Sequence, residues 1–101
     1  MIIVSGMTTL KNAGQRDAAI ASALVFVKQT LAEPGCRTCR ISTDLRDPRV
    51  IHHYEEWADE ASFAAHREAD STTAFRENIV DRLLAVSSST KFVADEGTPL
   101  D

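Results

Sequence analysis

The sequence predicts an α+β domain in which a four-stranded antiparallel sheet carries its helices on one face. Three observations lead there. The chain opens on a β-branched apolar run, Met1 to Leu10; it changes to a helical period between Gln15 and Glu33; and two extended runs then flank a proline-bearing turn, Arg46-Asp47-Pro48-Arg49. In chain order the elements read β-α-β-β-α-β, with the second helix broken in two.

The first strand ends at Asn12-Ala13-Gly14. In the first helix Ile20, Leu24, Val27 and Leu31 recur at one-face spacing, and Pro34-Gly35 stops it. Cys36 to Leu45 and Val50 to Trp57 form the hairpin, with Pro48 unable to continue the pairing. Asp59 is placed to cap a short helix carrying Ala61, Phe63, Ala64 and Ala65. After a polar break at Asp70-Ser71-Thr72-Thr73, a further helical segment sets Phe75, Ile79, Leu83 and Val86 on one stripe. Ser87-Ser88-Ser89 reads as a linker, and Lys91 to Ala94 as the last strand. Residues 1–95 make one domain and residues 96–101 a tail.

A chain of 101 residues buries a limited core, and this sheet keeps one uncovered face, so a homodimer through that face is expected. The net charge is -4, with acids and bases interspersed and no cluster of Lys and Arg. Nucleic acid and membrane surfaces are therefore not expected as partners. The N-terminus has no basic lead-in to its apolar start, which favours a strand over a signal peptide and gives a cytoplasmic expectation.

Chemistry concentrates in VIHHYEEWADEASFAAH, which holds all three histidines, the only tryptophan and the only tyrosine. On a strand, Ile51, His53, Glu55 and Trp57 share one face, while Val50, His52, Tyr54 and Glu56 share the other. The adjacent histidines thus point apart, and no metal site is expected. His66 follows Trp57 on a helix that folds back over the sheet, so its imidazole can reach the His53 strip. A plainer reading leaves Trp57 as core, Glu55 paired with an arginine and His66 as packing. Cys36 and Cys39 form a CxxC, yet on a strand they project to opposite faces. Neither a disulfide nor a shared metal then fits, unless Cys36 belongs to the turn after Pro34-Gly35.

The segments MIIVSGMTTL, AEPGCRTCRI, RDPR, YEEWADEASFAAH and STTAFRE, in this order, resemble the antibiotic biosynthesis monooxygenase family. Its members are small dimeric α+β barrels of ferredoxin-like topology. The most specific parts are the AEPG helix end, the Glu55-x-Trp57 strand end and the Ala65-His66 pair. The resemblance implies oxygenation of a small phenolic, quinol or anthrone-like aromatic substrate by O2 without a cofactor. Under it, His66 or His53 accepts the substrate proton and Glu55 orients a histidine or a buried arginine. Trp57 walls the pocket and stacks on the substrate ring, and Phe63 and Phe75 complete the apolar lining. His53 stands where the anthrone-oxidising branch has asparagine, Phe63 where it has tyrosine, and Arg76 near its arginine. Two alternatives stand beside this: a non-enzymatic small-molecule-binding or accessory barrel, and a haem-degrading enzyme in which His66 would have to be the axial ligand.

Overall fold

The apolar opening becomes β1 (Ile2–Thr9), a central strand, and the computed structural model, which describes residues 1–83 and 85–101, builds the sheet outward from it. β2 (Cys36–Thr43), β3 (Val50–Trp57) and β4 (Val86–Val93) complete four antiparallel strands in the order β2-β3-β1-β4. A 3₁₀ turn at Ala13–Gln15 leads into α1 (Arg16–Leu31). After β3 come α2 (Glu60–Glu68), α3 (Asp70–Arg76) and a π-helical turn, Glu77–Asp81. The α+β class and the ferredoxin-like order follow the sequence. Among the described residues no helix is long and apolar enough to cross a membrane.

Strand alternation sorts the two faces. Ile2, Val4 and Thr8 of β1 and Ile51, Glu55 and Trp57 of β3 are buried on the helical side, while Ser5 and Met7 stay exposed on the other. The core divides into two clusters. Leu10, Ala19, Ile51, Ile79 and Ala85 fill one end, and Ile2, Val4 and Trp57, backed by Cys36 and Phe63, fill the other. Polar side chains occupy the space between them.

Four local expectations are corrected. The buried stripe of α1 is Ala19, Ala23, Phe26 and Thr30, one residue away from the predicted Ile20, Leu24, Val27, Leu31. Small residues let the helix settle close to the sheet, and Leu24 is left 69% exposed. The polar break lies at Ala69 alone, whose extended backbone (φ -69, ψ 146) separates α2 from α3; Asp70 to Thr73 are helical. Val86 belongs to β4, and so does the serine run read as a linker, because β4 pairs with β1 along its whole length. Gly6 permits that pairing: a Cβ there would lie 2.3 Å from the Ser88 carbonyl oxygen. Finally, β2 bulges at Arg37, so that Cys36 pairs with Trp57 and Cys39 with Glu55. The extra residue turns both thiols to the helical side, against the expected opposite faces.

Candidate active site

β3 delivers His53, Glu55 and Trp57 to the helical face, as alternation requires, and sends His52 to the open face, where its Nε2 sits 2.8 Å from Asp44 Oδ1. α2 starts where Asp59 accepts the backbone N–H of Ser62 at 2.8 Å, the expected cap. Its last turn carries His66 down onto the sheet. There the imidazole is 3% exposed and lies against the Trp57 indole, ring centroids 4.5 Å apart.

Both His66 nitrogens face carboxylates. Nδ1 lies 3.0 Å from Glu33 Oε2, and Nε2 lies 3.5 Å from Glu55 Oε1. The Thr72 hydroxyl is 3.3 Å from the same Nδ1 and donates its proton to the His66 carbonyl at 2.6 Å. With that proton committed, the Thr72 oxygen can only accept, so Nδ1 carries a hydrogen shared between Thr72 and Glu33. Glu55, itself 6% exposed, accepts the Trp57 Nε1–H at 2.8 Å. The His66 Nε2 stands beside that same Glu55 oxygen, so the buried carboxyl group is not left without polar partners.

Two adjoining cavities, of about 340 and 170 Å³, open beside this array and share His53, Glu55, His66, Thr72, Arg76 and Ser89 in their walls. Phe63 lines the larger; Phe26, Phe75, Ile41 and the Ile79-Val80 part of the π-helical turn line the smaller. Phe75 stacks on Phe26 at 4.3 Å. Single π turns inside helices recur at functional sites, because the extra residue re-aims side chains. Burial holds the His53 imidazole below its ordinary pKa of 6.5, with Glu55 pulling the other way.

His53, Glu55, His66, Phe63 and Phe75 thus border one space. Trp57 does not: it is 0% exposed and sits behind Glu55 and His66, touching both. Glu33 and Thr72 escaped sequence reasoning. Glu33 was visible only as part of the AEPG helix end, and Thr72 stood in the stretch read as a break; the kink at Ala69 returns it to His66. The cysteines border the same region as thiols. Burial first, then the Glu55 charge, raises both, and Cys39 is pushed up to about 12. Among the described residues no group of three His, Cys, Asp or Glu side chains is placed to hold a metal ion.

A family model for the antibiotic biosynthesis monooxygenases matches residues 1–78. The chain belongs to that family. Solved structures share its fold at low identity. A Deinococcus radiodurans protein assigned to antibiotic biosynthesis monooxygenases superposes with a TM-score of 0.92 at 20% identity, covering 100% of this chain and 99% of its own. Rv0793 from Mycobacterium tuberculosis gives 0.82 at 16% identity, covering 98% and 100%. A conserved protein from Methanosarcina mazei Go1 gives 0.82 at 20% identity, covering 90% and 89%. No curated protein matches the chain. The family match ends at residue 78, so it includes every histidine and carboxylate of the buried array.

Proposed function

We propose that this antibiotic biosynthesis monooxygenase oxidises a small phenolic, quinol or anthrone-like substrate with O2, without a cofactor, in the cavity beside His53 and His66. The observation that carries the reading is the junction of an aromatic-lined space with a neutral imidazole and a buried Glu55-His66-Glu33 array. Ground-state O2 reacts slowly with closed-shell molecules, but an aromatic alcohol deprotonated to its anion can pass it one electron. The protein need only bind, deprotonate and hold.

In this reading His53, kept neutral by its burial, accepts the substrate proton, and Glu55 with His66 provides a second acceptor at the same wall. The substrate anion gives an electron to O2, and superoxide and substrate radical combine in a C–O bond. The resulting peroxide anion takes the stored proton on its distal oxygen and becomes a hydroperoxide. The O–O bond breaks, a hydrogen leaves the same carbon as a proton, and water departs as the carbonyl forms. Trp57 acts from behind: its N–H fixes Glu55 and its indole backs His66. Phe63 and Phe75 receive the substrate ring.

The haem-degrading alternative fits these residues poorly. An axial imidazole needs a free nitrogen facing the haem, whereas His66 is buried with both nitrogens toward carboxylates. We further propose a two-fold dimer through the open sheet face, where Met7, Val86 and Phe92 are exposed apolar residues beside Tyr54 and Arg40.

Oxygen uptake with a panel of quinols and anthrones tests the chemistry. The wild type is expected to consume oxygen, and the His53→Ala/His66→Ala double variant to lose ~10²–10⁴-fold in rate, the usual worth of a positioned base. No uptake by the wild type, or equal rates, would overturn the assignment.

A further inference from the structure

The mouth of the cavity differs electrostatically from the rest of the molecule. The chain carries a net charge of -4, yet the side chains lining the larger cavity include Arg67, Arg76 and Lys91. Lys91 is neutralised by Glu60 at 3.1 Å. Arg67 and Arg76 enter none of the ion pairs found among the described residues. Both also line an adjoining polar groove of about 420 Å³ with Ala64, Glu68 and Thr73. Glu68 is the one carboxylate in that groove, so two guanidinium groups outnumber it. The Arg67 guanidinium sits 6.0 Å above the Phe63 ring, at the border of aromatic lining and polar lip.

We propose that this lip, Arg67 with Arg76, receives a carboxylate carried by the aromatic substrate at the end away from the oxidised hydroxyl. The inference rests on the function proposed above and names its substrate class: a hydroxyaryl acid. The chemistry is direct. A guanidinium presents paired N–H donors in a plane that matches a carboxylate, and two such groups beside one aromatic wall fix both the position and the direction of the ring. The carboxylates on these walls, Glu55 and Glu68, form no ion pair with Arg67 or Arg76, so both guanidiniums keep their donors for a substrate carboxylate. The same field draws anionic substrates toward an otherwise acidic protein.

Calorimetric titration without oxygen, using 6-hydroxy-2-naphthoate, its neutral carboxamide and 2-naphthol, tests this. The acid is expected to bind about tenfold more tightly than the amide, the advantage of one charge-assisted hydrogen-bond pair. That preference should shrink as salt is raised, and Arg67→Gln and Arg76→Gln should each weaken the acid by several-fold more than they weaken 2-naphthol. Equal affinity for acid and amide, or a preference untouched by both substitutions, overturns the lip and leaves the oxidation reading standing. Failure of all three probes to bind overturns both.

Discussion

His53 and His66 meet at one cavity in opposite surroundings, and each invites a measurement at the level of the single residue. Unfolding returns His53 to its ordinary pKa of 6.5, so as the pH falls the unfolded chain binds a proton before the folded one does. Stability tied to His53 is therefore whole above that value and drains away as the pH drops through it. Urea unfolding between about pH 7 and pH 5 should show a smaller loss for His53→Gln than for wild type. Glu33 acts through His66. Removing its carboxylate in Glu33→Ala leaves the buried Nδ1–H to Thr72 alone and should cost about 1–3 kcal/mol in the same urea assay, with Glu33→Gln costing less because an acceptor remains. Cys39, with its pKa near 12, should resist iodoacetamide at neutral pH until the chain is unfolded, which mass spectrometry of the alkylated peptide would show. Residue identity made His53, Glu55 and His66 legible, since strand alternation alone set the first two on one face. Glu33 and Thr72 were hidden: their roles come from a helix end and a kink, and neither leaves a periodic signal.

Elements announced themselves to the extent that their apolar periods were their own. β1, β3 and the hairpin turn were plain from the sequence, because each carries its alternation or its proline within it. β4 was not, since a run of serines has weak strand preference and owes its conformation to a partner. That partner is β1, where the Thr8 and Ser87 hydroxyls lie 2.7 Å apart and Gly6 leaves room for Ser88. Gly6→Ala would drive a methyl group into the Ser88 carbonyl and the Ser89 Cα, so thermal unfolding should reveal a loss of about 1–3 kcal/mol, the usual cost of overpacking. An unchanged melting temperature would refute this account of the edge pairing. The first helix misled for a different reason. Its larger apolar residues border a groove beside β2, while alanines and Phe26 make the close contact. The Arg37 bulge is a further case: one inserted residue reverses the expected facing of the two CxxC thiols, and nothing in the local composition marks it.

Taken whole, the molecule has one sheet face covered by helices and one face left open. Light scattering of the intact chain should give twice the 11.1 kDa of a single copy, and Phe92→Asp on the open face should return it to one. A wild-type monomer would remove the proposed dimer without touching the cavity, which lies on the other face. The single tryptophan gives this architecture one more property. Trp57 lies with its indole against His66 and its N–H on Glu55, away from water and from the open sheet face. Its emission is a built-in optical gauge of the array: light from one fluorophore reports any change in how the His66 ring and the Glu55 carboxyl group sit against one indole. The wall of the cavity can thus be followed by fluorescence, with no label attached.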